Sequence, residues 1–382
     1  MTSSQELPWI AAHASVRGKG HVESGLPCQD DHNWAPLPEH PSWGVAVVSD
    51  GAGSAANSDR GSKRVVETAT AVFTALLREQ QWANGQSLPE AEAWTTMARR
   101  TLRAIADDLT VFSEQETLPL RSLSATLIVV IFGPTGLLAT HVGDGRAAGR
   151  RYSDGGWQPL IEPYHGEEAN VTVFLTSDIW ESDAMGTYVG ASVFPEPFDA
   201  FALLSDGCEM ATFSLSRLNE ETGLKQETNQ PHPPFFNPNV EALRAMHAQG
   251  LSAPEINGLW HSLLHDGVPR LAHESDDKTM IVAVRPMASS EALDMNAPNQ
   301  QEAPRMVASE SIGKELDGIE GLEVATSWQP SPDAGTTTNH SPTGNSLLVA
   351  GLLAATGLLF TVIASLISSV SSRPGADSRK VL

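Results

Sequence analysis

The chain has 382 residues, a formal net charge of −22 and a pI near 4.8. This balance argues against a nucleic-acid partner, because phosphate binding requires clustered Lys and Arg, and the basic residues here are scattered. The two cysteines, Cys28 and Cys208, are too few for a disulfide framework and lack the spacing of a zinc site. The first thirty residues contain no basic segment followed by a long apolar run, so no secretory signal peptide is predicted.

The first informative element is an apolar, β-prone run at residues 43–48, which predicts a buried strand that ends at Asp50-Gly51. Asp-Gly pairs commonly form plain turns, so this motif alone is also compatible with a turn. A carboxylate at a strand exit can instead bind a hard cation such as Mg²⁺ or Mn²⁺. In that interpretation Asp50 bridges two cations and Gly51 allows its own carbonyl to approach one of them.

The middle of the chain predicts two helices, over residues 58–77 and 88–111, and then two adjacent strands. The strands cover residues 123–132 and 136–142, and a turn over 133–136 joins them as a hairpin. Asp144 follows the second strand. Strand pairs that alternate with helix pairs indicate an α+β layered sandwich.

The C-terminal part of this region repeats the pattern of an acid beside a strand. Asp206 follows the apolar run 201–204, and Asp276 precedes the predicted strand 279–284, with helices predicted over 239–249 and 253–264 between them. Acids at strand ends far apart in sequence can converge on one site. Carboxylates favour Mg²⁺ or Mn²⁺, whereas clustered imidazoles and thiolates would indicate zinc.

Taken in order, these motifs resemble the PP2C-type (PPM family) metal-dependent serine/threonine protein phosphatases, most closely a bacterial branch. The resemblance covers about residues 8 to 286. The matching segments are Gly25-Leu26-Pro27-Cys28-Gln29-Asp30, Asp50-Gly51-Ala52-Gly53-Ser54, Ser124-Ala125-Thr126-Leu127, His141-Val142-Gly143-Asp144-Gly145-Arg146, Ser205-Asp206-Gly207 and Asp276-Asp277-Lys278-Thr279.

The resemblance implies a four-layer α-β-β-α sandwich, in which helices flank two antiparallel sheets and Mn²⁺ or Mg²⁺ binds at one end. It implies hydrolysis of phosphoserine or phosphothreonine by a hydroxide that bridges two metal ions. It also implies roles for individual residues: Asp50 bridges the two ions, Gly51 offers its carbonyl, Asp206 and Asp276 complete the shell of the first ion, and Asp144 holds a third, weaker ion together with Asp206.

Three positions depart from the family pattern. Gln29 stands where many members have a Glu that serves the second metal, so that ion binds weakly or uses Asp30 directly or through water. Ala52 stands where eukaryotic members have a His proposed as general acid. The Arg that grips the substrate phosphate is missing near Gly25; Arg17, Lys19 and His21 lie upstream and could replace it, although a solvated basic loop is the alternative interpretation.

The chain continues with a polar segment over residues 287–346, which predicts a disordered linker. Residues 347–370 contain no charged side chain and are long enough for one transmembrane helix, which needs about 20 apolar residues. A short polar tail, residues 371–382, follows. We expect a single-pass membrane protein with its catalytic domain in the cytoplasm, although Arg373, Arg379 and Lys380 in the tail favour the opposite orientation.

The expected partners are therefore a phosphorylated protein substrate, a cognate Ser/Thr kinase and the membrane, with no nucleic acid. Two alternatives come from other functional classes. The departures at Gln29 and Ala52 are compatible with a weakly active or inactive module that binds phosphoproteins or relays signals. A two-metal phosphodiesterase or nuclease is the other alternative, and the acidic composition disfavours it.

Overall fold

The computed structural model describes residues 7–164, 172–181, 185–218 and 224–286. The described residues belong to one compact unit, Met1–Trp328, and a second unit, Gln329–Leu382, lies outside them. The predicted linker, transmembrane helix and tail (287–346, 347–370 and 371–382) also lie outside the described residues. Among the residues that are described, no helix is both long and apolar enough to cross a membrane.

Two antiparallel five-stranded sheets form the centre of the domain. The first sheet has the strand order β1 (Ile10–Val16), β12 (Lys278–Val284), β9 (Phe198–Leu204), β6 (Arg146–Arg151) and β7 (Trp157–Pro159). The second has the order β2 (Asp31–Leu37), β3 (His40–Ser49), β4 (Leu127–Gly133), β5 (Gly136–Val142) and β8 (Val189–Phe194). A separate hairpin pairs β10 (Phe213–Leu218) with β11 (Lys225–Pro231).

Helices cover the outer face of each sheet. The α-helices are α1 (Lys19–Ser24), α2 (Ser58–Glu79), α3 (Ala91–Gln115), α4 (Met185–Tyr188), α5 (Glu209–Thr212), α6 (Pro233–Ala248), α7 (Ala253–Ser262) and α8 (Pro269–Ala272). Apolar side chains of α2 and α3 pack on β3 and β4, and those of α6 and α7 pack on β1, β9 and β12. The layers therefore follow the order α-β-β-α.

The alternation of side chains along the central strands builds three separate cores. On β3, Val45 and Val47 pack toward α2 and α3, whereas Ala46 and Val48 pack between the two sheets. Strands β4 and β12 divide their side chains in the same way. Because successive side chains point to opposite faces and both faces are covered, these strands are apolar at almost every position.

The predicted fold of two antiparallel sheets flanked by helices is confirmed, and each strand or helix predicted for the described residues overlaps an observed one. The predicted strand at 136–142 coincides with β5, and the predicted strand at 43–48 lies inside β3. The start of the predicted strand 123–132 is wrong. Residues Leu120–Leu123 form a 3₁₀ turn, and β4 begins only at Leu127, because the backbone of residues 124–126 pairs with residues 50–52 instead.

Candidate active site

Asp50 directly follows β3, and its backbone is hydrogen-bonded to Thr126, the residue before β4. The Ser49 hydroxyl donates to the Thr126 carbonyl (2.6 Å), and the Asp50 N–H donates to Thr126 Oγ1 (3.1 Å). In return, the Thr126 N–H donates to the Asp50 carbonyl (2.7 Å). The backbone polar groups of Asp50 are thus satisfied by the scaffold, and its carboxylate is left for the site.

Gly51 is a glycine because of close backbone packing. A Cβ at this position would lie 2.5 Å from the Gln29 carbonyl oxygen and 2.8 Å from the Ser58 carbonyl oxygen. A side chain here would therefore separate β3 from the segment before β2 and from the start of α2. This explanation adds to the sequence-based one, in which Gly51 allowed its own carbonyl to approach a cation.

Asp206 follows β9 in a similar arrangement. The Ser205 hydroxyl accepts a hydrogen bond from the Thr279 N–H (3.0 Å) and donates one to Asp30 Oδ2 (2.7 Å). A Cβ on Gly207 would lie 2.0 Å from the Asp277 carbonyl oxygen, so only glycine allows the loop before β12 to approach this closely. This contact brings the segment that carries Asp276 next to Asp206.

The candidate carboxylates interact electrostatically. Burial, followed by repulsion from Asp30, Asp206 and Asp276, raises the pKa of Asp50 well above its ordinary value. Burial and repulsion from Asp144 and Asp276 raise the pKa of Asp206 to about 7. All five acids predicted from the sequence therefore lie within electrostatic reach of Asp50 or Asp206.

Asp30 is buried immediately before β2 and belongs to the same group. Burial, with added repulsion from Asp277 and Asp206, raises its pKa to about 8, although hydrogen bonds from Ser205 and Thr279 oppose this shift. Burial is also the main cause of the raised pKa of Asp276. Such raised pKa values mean that the protein alone compensates these negative charges poorly.

The residues present fit divalent cations. Within the described ranges, Asp50 and Asp206 form no ion pair with a basic side chain, and two buried oxygens, Asp206 Oδ1 and Gln29 Oε1, have no hydrogen-bond partner. Hard cations prefer oxygen donors of this kind. As the side chains stand, no three His, Cys, Asp or Glu residues among those described are arranged as a metal cage.

Asp277 is an important residue to which the sequence assigned no role. Its buried carboxylate accepts hydrogen bonds from the backbone N–H groups of Gly18 (2.7 Å) and Gln29 (2.5 Å). His21 lies between the acids, with Nδ1 2.9 Å from Asp277 Oδ2 and Nε2 3.9 Å from Asp276 Oδ1. Asp277 therefore ties the N-terminal segment to the site. Its position beside Asp276 in the Asp276-Asp277-Lys278-Thr279 motif was the available signal.

A cleft of about 290 Å³ opens beside these acids. Its lining residues are Gly20, His21, Ser24, Gly53, Ser275 and Asp276. Of the three basic residues that could replace the missing Arg, only His21 is among them. The exposed Arg17 guanidinium instead donates to the Leu26 carbonyl (3.1 Å), a contact within the same N-terminal segment. Among the described residues, no arginine lines this cleft.

Neither cysteine is activated as a nucleophile. Burial raises the pKa of the Cys28 thiol, with further contributions from Asp30 and Asp277, and burial likewise raises the pKa of the Cys208 thiol. Since the thiolate is the reactive form of cysteine, these environments disfavour covalent thiol chemistry.

Comparison with known proteins identifies the family. The profile of the family Protein phosphatase 2C matches residues 17–253, and the chain belongs to this family. The chain is 28% identical over 283 residues to Serine/threonine-protein phosphatase 3 of Escherichia coli (strain K12), covering 73% of this chain and 99% of the relative. The protein is a protein serine/threonine phosphatase, a phosphoric monoester hydrolase, as the sequence motifs predicted.

Solved structures with a similar fold include two bacterial phosphatases. Serine/threonine phosphatase Stp1 from Staphylococcus aureus is 15% identical, with a TM-score of 0.42 and coverage of 73% of this chain and 96% of that one. The catalytic domain of serine threonine protein phosphatase PstP, in complex with two manganese ions, is 17% identical, with a TM-score of 0.42 and coverage of 74% and 100%.

Proposed function

We propose that the enzyme is a phosphatase that uses Mn²⁺ or Mg²⁺ bound at the converging carboxylates. The residues that would hold two ions, with a third bound more weakly, are Asp50, the carbonyl of Gly51, Asp206, Asp276, Asp144 and Asp30. The observation that carries the proposal is the convergence of Asp50, Asp206 and Asp30, whose pKa values are raised by burial and by repulsion from neighbouring acids, and none of which forms an ion pair with a basic side chain within the described ranges. Metal use is general to the family.

In the proposed chemistry the ions would activate water and the protein would position the groups that bind them. Bound divalent cations would lower the pKa of a water molecule and neutralise phosphoryl oxygens. The chain contributes position: Thr126 anchors the backbone of Asp50, and Ser205 links Asp30 to the start of β12. The cleft beside Asp276 offers His21 and two serine hydroxyls as hydrogen-bonding groups for the phosphorylated side chain.

The proposed substrates are proteins phosphorylated on Ser or Thr, and the natural counterpart is a Ser/Thr kinase. We further propose the domain division 8–286, 287–346, 347–370 and 371–382, with the apolar segment 347–370 anchoring a cytoplasmic catalytic domain to the membrane. The absence of charge from that segment supports the anchor. Tethering of enzyme and phosphoprotein to one membrane would raise their effective concentration for each other.

A weakly active phosphoprotein-binding module is the second candidate. Two positions favour it: Gln29 presents a neutral amide on the side of the second metal, and Ala52 has no acid-base group. Calorimetric titration with Mn²⁺ separates the two functions, since the module interpretation predicts no tight binding.

The site assignment is tested by Asp50→Ala in the full chain. We expect Mn²⁺-dependent release of phosphate from a phosphothreonine peptide to fall by more than about 100-fold, since changes in the outer shell of a metal site already cost about 10- to 100-fold. Asp154→Ala is the matched control, because Asp154 lies in an exposed turn and pairs only with Arg151 in the described structure. Unchanged activity in Asp50→Ala would contradict the assignment.

A further inference from the structure

A second cavity, of about 350 Å³, is lined by helices α3 and α4 and by strands β5 and β8. It shares no lining residue with the cleft beside Asp276. The lining residues that decide its chemistry are Arg99, His141, Glu162, Gly186, Gly190 and Ser192. The cavity is therefore polar, and the active site described above does not account for it.

The Arg99 guanidinium in this cavity is not paired with a carboxylate. Its Nε is buried without a hydrogen-bond partner, and Arg99 takes part in no ion pair of the described residues. By contrast, Arg103, one turn further along α3, pairs with Asp107 (3.0 Å) and Glu181 (2.6 Å). A guanidinium presents its donors in a planar fork that matches the oxygens of carboxylates and phosphates. Arg99 thus offers a positive charge and a buried donor to a bound anion.

His141 presents a hydrogen-bond acceptor to the same cavity. Its Nε2 lies 2.8 Å from the Glu162 carbonyl oxygen, and because a carbonyl only accepts, the ring proton is on Nε2. Burial lowers the pKa of His141 to about 4, so the ring is neutral at pH 7 and Nδ1 carries a lone pair. This Nδ1 is buried and has no hydrogen-bond partner in the described part of the chain. The cavity therefore combines a buried acceptor with a buried donor.

Two glycines leave the space that these side chains occupy. A Cβ on Gly186 would lie 2.7 Å from Arg99 Nη2, and a Cβ on Gly190 would lie 2.5 Å from His141 Nδ1. Neither glycine has a φ in the left-handed region. Glycine at these positions is explained by the close approach of the guanidinium and the imidazole, and not by the backbone conformation.

A phosphate ion that retains a proton satisfies both groups. Its ionised oxygens accept from Arg99, and its hydroxyl donates to His141 Nδ1. At pH 7 inorganic phosphate keeps at least one proton, whereas a phosphorylated side chain has lost most of its second proton and sulfate has none. The Glu162 carboxylate, which accepts from Asn229 Nδ2 (3.1 Å), also favours the ligand with the smaller negative charge.

We propose that this cavity is a binding site for inorganic phosphate, the product of the reaction, with Arg99 as the donor and His141 as the acceptor. The Ser192 hydroxyl in the lining offers a further donor. Because the cavity is separate from the cleft beside Asp276, phosphate bound there would not occupy the place of the substrate. None of these residues is a proposed metal ligand.

The test is calorimetric titration of the full chain, freed of divalent cations, with inorganic phosphate at pH 7. We expect sulfate to bind at least about 10-fold more weakly than phosphate, because it leaves the buried acceptor of His141 unpaired. Arg99→Gln should lower the phosphate affinity by at least about 10-fold, since it removes charge-assisted hydrogen bonds. Arg100→Gln is the matched control, because Arg100 is the adjacent, exposed position of α3 and its change should leave the affinity as it is.

Further measurements protect the test against loss of folding and against another ligand. If Arg99→Gln fails to fold, Gly186→Ala replaces it, since the added Cβ displaces only the flexible end of Arg99 and should also weaken phosphate binding. A phosphothreonine peptide should bind equally well to the wild type and to Arg99→Gln. Loss of peptide binding in Arg99→Gln would assign the cavity to a phosphorylated side chain and overturn the proposed ligand.

Two results would overturn the site itself: equal phosphate affinity in the wild type and Arg99→Gln, or equal affinity of the wild type for phosphate and sulfate. Hydrolysis of a small aryl phosphate in the presence of Mn²⁺ should be unchanged in Arg99→Gln. A large loss there would place Arg99 in the catalytic cleft and contradict a separate site. Because the titration contains no metal ions, its outcome does not depend on the proposed metal site.

Discussion

Strand β9 has a carboxylate near each end, and the two environments are opposite. Near its start, Asp199 accepts two hydrogen bonds from the Arg150 guanidinium (2.9 Å each) and one from Arg244 Nη2 (2.9 Å). Just beyond its other end, Asp206 lies near Asp144 and Asp276, which contribute to raising its pKa to about 7. One of its oxygens is buried without a hydrogen-bond partner.

The difference separates an acid that is paired with arginines of the fold from an acid that is available to the proposed metal site. A partly buried charge needs an opposite charge, and arginines of the protein supply it for Asp199. For Asp206 no ion pair with a basic residue occurs in the described ranges, which supports the proposal that cations from solution bind beside it. A site that lacks its own cations is suited to bind them from solution.

The proposed contrast between Asp206 and Asp199 would be contradicted most directly if Asp206→Asn left the enzyme active. We expect this change to lower kcat/KM for a phosphothreonine peptide by more than about 100-fold at saturating Mg²⁺, because an amide is a poorer ligand for a hard cation. Asp199→Asn is the matched variant at the other end of the strand, and its kcat/KM should stay within about threefold of the wild type. Similar losses in both variants would mean that the two acids do not have separate roles.

For folding stability we expect the opposite order, with a larger effect from Asp199→Asn than from Asp206→Asn. Asp199→Asn should lower the free energy of unfolding by about 3 kcal/mol, because it leaves two largely buried arginines with only the more exposed carboxylate of Glu241. Urea denaturation monitored by tryptophan fluorescence provides the measurement. Asp154→Asn breaks a more exposed pair with Arg151 and should lower the free energy of unfolding far less. A cost for Asp199→Asn as small as this control would show that its ion pairs contribute little.

The smallest expected effect is a pH dependence of the metal-free protein. The folded pKa values of Asp206, about 7, and Asp30, about 8, lie above the ordinary value of 3.8, so the folded state holds more protons than the unfolded one. Their contribution to stability is complete below pH 3.8 and is lost as the pH rises through the folded pKa. Between pH 7 and 8.5 we therefore expect the free energy of unfolding to fall by about 2 kcal/mol in EDTA.

The buried histidines His32 and His141 do not change protonation in the folded state between pH 7 and 8.5. Burial lowers the pKa of His32 and of His141 to about 4, so their stabilising effect is present above the unfolded value of 6.5 and changes little between pH 7 and 8.5. Saturating Mg²⁺ should abolish the decrease, and Asp206→Asn should reduce it, because the amide resembles the protonated acid. A metal-free protein whose stability rises over this range would contradict the raised pKa values.

The accuracy of the sequence-based predictions varied with the surroundings of each element. Strand β5 was predicted at its exact bounds because it is covered on both faces and follows a clear turn. The edge strands β1 and β2 were not predicted, because His13, Ser15, His32 and Asn33 interrupt the apolar pattern. Those residues are polar because each has a hydrogen-bond partner on another element, which no local pattern reveals.

The sequence by itself determined the acids of the candidate site and the enzyme family. Asp50, Asp206 and Asp276 each adjoin an apolar run, and this local pattern is visible without a structure. Only the tertiary structure decided which groups support them: Asp277 holding the backbone of Gly18 and Gln29, and Ser205 donating to Asp30 while it accepts from the Thr279 N–H. These supports depend on hydrogen bonds between residues up to 259 positions apart, and such contacts exist only once the two sheets have packed together.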